Sequence, residues 1–96
     1  MRDVKKVAVI GGGLIGMSWA ALFLARNLEV VVVDPREALK NELTEFINSA
    51  WPLLKELKLA VSEEICYAKY TNRISDLTDI DFVQENIPDR IEVKHQ

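Results

Sequence analysis

Cys66 is the only cysteine and His95 the only histidine in this sequence. A single thiol cannot close an intramolecular disulfide, so a disulfide-stapled fold is excluded, and so is a zinc site built on paired cysteines. Positive charge is not in excess either: 12 Lys and Arg stand against 15 Asp and Glu, a formal charge of −3. That balance lacks the clustered basic face with which proteins grip nucleic acid. Neither an internal repeat nor a low-complexity linker is visible, and 96 residues leave room for one small domain. What remains is a globular composition, 49% hydrophobic and 28% charged.

The longest uncharged run, residues 7–25, follows Arg2, Lys5 and Lys6. Its nineteen residues are enough to span a bilayer as a helix, and a basic start before an apolar run resembles a secretory signal. Gly12 and Gly16 even share the GxxxG spacing of membrane helix pairs. Three consecutive glycines at 11–13 argue against a continuous helix, since each costs a helix interior about 1 kcal/mol relative to Ala. The run also changes character: Val7, Ala8, Val9 and Ile10 suit a strand, whereas residues 14–25 are rich in helix formers. A strand, a glycine turn and a helix account for it without a membrane. With no convincing targeting segment, the cytoplasm is the expected location.

The rest of the chain extends this pattern. A first strand covers residues 4–10, nearly continuously apolar after Lys6, as a parallel strand buried on both faces should be. The helix from Leu14 to about Arg26 stops at Asn27, a residue that tolerates the left-handed conformation common at helix ends. Four consecutive valines, 30–33, read as a buried second strand that ends on Asp34 and Pro35. From Arg36 the period becomes helical, with Leu39, Leu43, Phe46, Ile47, Ala50, Leu54 and Leu57 on one apolar stripe. Trp51 on such a face reads as core. Pro52 lacks an N–H and is expected to bend this helix or divide it in two. Ser62 followed by Glu63 and Glu64 predicts another helix start. Residues 68–71 read as a short third strand, 74–77 as one helical turn, 80–84 as a fourth strand, and 89–96 as the opening of a helix. The order predicts an α/β fold: a Rossmann-type parallel sheet of about four strands, ordered 3-2-1-4, with flanking helices.

Gly11, Gly13 and Gly16 fit the pattern G-x-G-x-x-G. The pattern alone is weak, but its context matches: it follows an apolar strand, opens a helix, and has an acid eighteen residues after Gly16 at the end of the next strand. Gly11 permits the tight turn, Gly13 lets a pyrophosphate approach bare backbone, and Gly16 lets helix and sheet pack closely. N–H groups of the first helical turn, near Leu14 and Ile15, point at the phosphates with the helix dipole behind them. Asp34 can accept from both hydroxyls of an adenosine ribose and would repel a 2′-phosphate, which favours NAD over NADP. Arg36 pulls the other way, because an Arg here can receive a 2′-phosphate; equally, it can be a solvated residue opening the next helix. A glycine turn and strand-end acid without any ligand is the bland alternative. Flavin-linked reductases share the triple glycine, but their strand-end acid is usually Glu.

The stretches 7–20 (VAVIGGGLIGMSWA), 30–35 (VVVVDP), 49–59 (SAWPLLKELKL) and 81–90 (DFVQENIPDR) resemble the NAD-binding part of the L-3-hydroxyacyl-CoA dehydrogenase superfamily. Segments 50–52 and 82–86 lean towards its branch of L-carnitine dehydrogenases and L-gulonate 3-dehydrogenases (lambda-crystallin). The resemblance covers essentially the whole chain but only the first part of a family member. It implies that Gly12, with the rest of the glycine loop, and Asn86 and Ile87 line a dinucleotide cleft. It implies further that Asp89, in place of the usual Glu, and Lys94 reach the cofactor from the segment beyond. The implied chemistry is hydride transfer between NAD and C3 of a 3-hydroxy acid, carnitine or 3-hydroxyacyl-CoA, with His as general base oriented by Glu and assisted by Ser and Asn. Those catalytic residues lie downstream in the family, and His95 lacks the motif that surrounds the catalytic one.

Two functional readings follow. In the first, residues 1–96 are the N-terminal portion of an NAD-dependent dehydrogenase, without its later strands and helical domain. In the second, the chain is a freestanding dinucleotide-binding or interaction module. A 3-2-1-4 order leaves the fourth strand at an edge, where unpaired backbone groups invite pairing with a second copy.

Overall fold

The computed structural model describes residues 4–86. In chain order they form β1 (Lys6–Ile10), α1 (Leu14–Ala25), β2 (Glu29–Val33), α2 (Leu39–Glu56), β3 (Lys69–Thr71), a single 3-10 turn (Ile74–Asp76) and β4 (Phe82–Glu85). The strands are parallel and ordered β3-β2-β1-β4, the topology expected from the alternation of apolar runs.

Register decides which face is buried. Val7 lies opposite Val30 and Phe82, and Val9 opposite Val32 and Gln84. Side chains alternate along a strand, so Val7, Val9, Val30 and Val32 share one face. Both helices pack there, Ala20, Ala21, Leu24 and Ala25 from α1 and Leu39, Leu43, Ile47 and Trp51 from α2. The other face carries Ala8, Val31 and Val83, and Val83 is 46% exposed. Among the described residues the helices pack on one side of the sheet, yet β1 is buried on both faces, at Val7 and Val9 on one and Ala8 on the other, as its apolar run predicts. No helix among the described residues is long and apolar enough to cross a membrane. The uncharged run is divided between β1, the glycine turn and α1.

Both helices end in the same way. Asn27 has φ 68°. Its N–H donates to the Leu24 carbonyl at 2.9 Å and that of Leu28 to the Phe23 carbonyl at 3.1 Å, the two bonds of a Schellman motif. Lys58, at φ 63°, ends α2 with the equivalent pair, Lys58 to Lys55 and Leu59 to Leu54. Asn27 betrays its stop by residue type, whereas Lys58 does not.

The sequence reading needs four corrections. Of the two outcomes expected at Pro52, a bend or a division, division is overturned: α2 runs through it. Pro52 and Asn48 are both exposed, so water can satisfy the Asn48 carbonyl that the missing N–H leaves without its helical donor. Residues 62–64 start no helix; the Ser62 hydroxyl instead accepts the Glu64 N–H at 3.2 Å in a local turn. Leu57 is not part of the buried stripe but caps α2, 57% exposed, while Trp51, 3% exposed, closes the stripe. β4 begins at Phe82, because Asp79 turns the chain at φ 56° and the Asp81 carboxylate caps the N–H groups of Lys5 and Lys6.

Candidate functional site

β1 sits between β2 and β4, so the chain leaves it towards one side of the sheet and returns much later on the other. Such a switch point opens a crevice at the carboxyl ends of the strands. A cleft of about 730 Å³ lies there, lined by Ile10, Val33, Asp34, Pro35, Asn72, Ile74, Asn86 and residues 11–16.

The glycine loop is set by distinct contacts. Gly11 has φ 93°, and its N–H continues the β1–β2 ladder to the Val33 carbonyl at 2.8 Å. A Cβ on Gly16 would stand 1.9 Å from the Gly11 carbonyl oxygen, so the first turn of α1 rests directly on the loop backbone. A Cβ on Gly12 would meet Leu39 Cδ2 at 2.1 Å. A Cβ on Gly13 would meet nothing within 4 Å. Gly12 and Gly16 are thus small for packing within the chain, Gly11 for its left-handed backbone, and Gly13 borders open space.

Gly13 is also the N-cap of α1, with no side-chain cap and no acid in the first turn. The first N–H of α1 with a helical acceptor is that of Met17, donating to the Gly13 carbonyl at 2.9 Å. Helix geometry leaves the preceding N–H groups without intrahelical partners, and they lie where Gly13, Leu14 and Ile15 line the cleft. Leu14 and Ile15 are 69% and 66% exposed. An open helix terminus of this kind accepts an anion.

Asp34 is the buried polar side chain of the described core, 7% exposed. Its Oδ2 accepts the Gly12 N–H at 2.8 Å; its Oδ1 accepts the Arg36 N–H at 2.9 Å and Arg36 Nε at 3.1 Å. Burial pushes this carboxyl up, but the backbone donors of Arg36 and Gly12 and the Arg36 guanidinium outweigh it and hold Asp34 below its ordinary value. Arg36 also reaches Glu42 at 3.8 Å, so one cation is shared between two carboxylates.

On the far side of the cleft, the Asn86 N–H extends the β1–β4 ladder to the Ile10 carbonyl at 2.8 Å. Asn86 Nδ2 is buried with no hydrogen-bond partner among the described residues, and Asn86 lines the cleft. The structure thus brings together residues 11–16, Asp34 and Asn86 around one crevice, with Arg36 beside it. Ile87, Asp89 and Lys94 lie outside the described residues. Sequence reasoning missed Asn72 and Ile74, which line the cleft just after β3. Their one available signal was position after a strand whose carboxyl end abuts that of β2.

A glycine loop leading a central strand into an uncapped helix, with a buried acid at the end of the next strand, defines a Rossmann-type α/β domain. Residues 6–96 match the family described as 3-hydroxyacyl-CoA dehydrogenase, NAD binding domain, and the chain belongs to that family. It is similar to L-carnitine dehydrogenase of Nocardiopsis dassonvillei, 37% identical over 92 residues, covering 95% of this chain and 28% of that protein. L-carnitine dehydrogenase of Oceanobacillus iheyensis is 38% identical over 93 residues, covering 96% and 30%. Among solved structures, FHMPC 5-dehydrogenase, an NAD+-dependent dismutase, superposes with a TM-score of 0.77 at 28% identity, covering 96% of this chain and 30% of the other. The chain therefore spans less than a third of the length of these relatives.

Proposed function

We propose that this chain is the NAD-binding portion of an oxidoreductase that transfers hydride between NAD and the C3 hydroxyl of a 3-hydroxy acid, carnitine or 3-hydroxyacyl-CoA. The observation that carries the proposal is the open cleft bounded by uncapped α1, bare Gly13 and buried Asp34. The residues present fit the cofactor. N–H groups at Gly13, Leu14, Ile15 and Gly16 would hold the diphosphate, with Gly11 and Gly12 shaping the loop beneath it. Asp34 would hold the adenosine ribose. A carboxylate offers about four acceptor directions and three donors already occupy Asp34, so one ribose hydroxyl would take the open direction and the second would displace Arg36 Nε. Asn86, whose amide has no acceptor among the described residues, and Ile87, Asp89 and Lys94 beyond it would meet the nicotinamide half. NAD, when bound, supplies the hydride acceptor.

The electrostatics favour NAD over NADP. Asp34, Arg36 and Glu42 together carry one positive and two negative charges. A 2′-phosphate arriving here would meet a guanidinium already held by two carboxylates. Calorimetric titration with NAD, NADP and FAD in parallel tests the reading: heat with NAD is expected, and silence with all three overturns it. Incubation with NAD and L-carnitine or a 3-hydroxyacyl-CoA is expected to produce no reduced cofactor, since residues 1–96 carry no assigned catalytic base. The cytoplasm, rich in this cofactor, is the compartment we assign.

The sheet edge favours a second reading, an assembling nucleotide-binding module. Among the described residues β4 is paired with β1 on one side and with no strand on the other, and Phe82 and Val83 are 45% and 46% exposed. An apolar edge of this kind pairs with another chain. We expect a homo-oligomer through β4; a strictly monomeric species by light scattering at high concentration removes it.

A further inference from the structure

Tyr70 makes a contact that neither the glycine motif nor the ribose acid requires. It lies on β3 opposite Val32, so its ring faces the buried side of the sheet and packs against the core. Its phenol O–H reaches past the end of β2, 2.7 Å from the carbonyl oxygen of Asp34 and 3.0 Å from that of Arg36. Those two carbonyls bracket Pro35, whose ring fixes φ. Inside the same turn the Arg36 N–H binds Asp34 Oδ1, and on its β3 side the Asp34 N–H donates to the Thr71 carbonyl at 3.1 Å. The backbone on both sides of Pro35 is therefore held from β3, and the Asp34 carboxylate is aimed by the backbone that Tyr70 holds.

From this geometry we infer that Tyr70 is a positioning residue for dinucleotide selectivity, holding the 34–36 turn so that the Asp34 carboxylate stands where an adenosine ribose would lie. The inference rests on the proposed NAD site and names a residue that does not line the cleft but holds the backbone of one that does. Two further observations support it. Burial and the negative charges of Asp34 and Glu37 raise the Tyr70 phenol above its ordinary value, so the hydroxyl is a donor at neutral pH. Removing the hydroxyl deletes the two contacts to the 34–36 turn and leaves the ring in place, so Tyr70→Phe isolates the tether from the packing.

The test compares Tyr70→Phe with Tyr67→Phe, which also deletes one phenolic hydroxyl but from a bond to Asn48 remote from the cleft. Each variant is titrated with NAD and NADP, and exchange of the Gly12 amide, which reports the bond to Asp34, is followed without ligand. For Tyr70→Phe we expect NAD affinity to fall roughly threefold to tenfold, the loss of one hydrogen bond. The preference for NAD over NADP should narrow, and the Gly12 amide should exchange faster. Tyr67→Phe should leave all three unchanged. Unchanged selectivity and unchanged Gly12 exchange in Tyr70→Phe, with wild-type chain that binds NAD, overturn the inference. Wild-type chain that binds no dinucleotide overturns the proposed function instead, and the exchange comparison still decides whether Tyr70 orders the turn.

Discussion

The Gly12 N–H donates to Asp34 Oδ2 at 2.8 Å, joining the glycine loop to the end of β2 across 22 residues of sequence. The sides of the cleft proposed for the phosphates and for the ribose are therefore one mechanical unit. The carboxylate expected to hold the cofactor already organises the loop without it.

Asp34→Ala should accordingly weaken the fold as well as NAD binding. It strands the buried Gly12 N–H and the Arg36 N–H, and leaving a buried donor unmade costs about 1–3 kcal/mol. Urea denaturation measures the loss. An unchanged midpoint would show that the bond contributes nothing.

Acid should act through the same group. The folded Asp34 carboxyl lies below its ordinary value of 3.8, so in the acid range the folded state binds fewer protons than the unfolded chain. Stability from Asp34 is thus complete above the ordinary carboxylate range and is lost as pH falls through the lower folded value. Asp76 adds in the same direction: the Thr71 hydroxyl, ahead of Arg73, lowers it against a smaller effect of burial. Thermal melts between about pH 6 and pH 2 should fall less steeply for Asp34→Asn than for the wild type. Parallel curves would remove Asp34 from the acid response.

Gly16 and Gly13 should separate stability from binding. Gly16→Ala places a Cβ 1.9 Å from backbone oxygen, which only a shift of α1 can relieve, at a cost of about 1–3 kcal/mol. Gly13→Ala meets no atom and should change stability by about 1 kcal/mol or less. Its methyl group stands in the cleft, so NAD affinity should drop about tenfold or more. Denaturation and calorimetry on the same two variants check this; equal behaviour of the pair contradicts it.

Trp51 fills the core without using its polar atom. Its indole Nε1 is buried and has no partner among the described residues. Trp51→Phe should cost under about 1.5 kcal/mol, because it removes an unsatisfied donor along with some volume. Trp51→Ala should cost about 3–5 kcal/mol through the cavity it leaves. A large loss from Trp51→Phe would reveal a partner for the indole N–H.

Much of the site was legible because it is local. Three glycines between a valine-rich strand and a helix, with an acid ending the next strand, encode the turn, the uncapped helix and the buried carboxylate within 34 residues. Strand order also followed, since apolar runs joined by helical segments have few ways to form one parallel sheet. Contacts between distant residues were not legible. The Tyr70 tether to Asp34 spans 36 residues, and the entry of Asn72 and Ile74 into the cleft depends on β3 lying beside β2. The continuity of α2 through Pro52 depended on which side of the helix faces solvent.

Residue type and spacing by themselves determined most of the elements, the order of the sheet and the glycine turn with bare backbone at the start of α1, because those follow from φ, hydrogen-bond capacity and periodicity within a few turns of chain. Tertiary structure alone decided how the Asp34 carboxylate is aimed and which residues close the cleft. Those outcomes depend on hydrogen bonds and packing between segments that only the folded sheet brings within reach of one another.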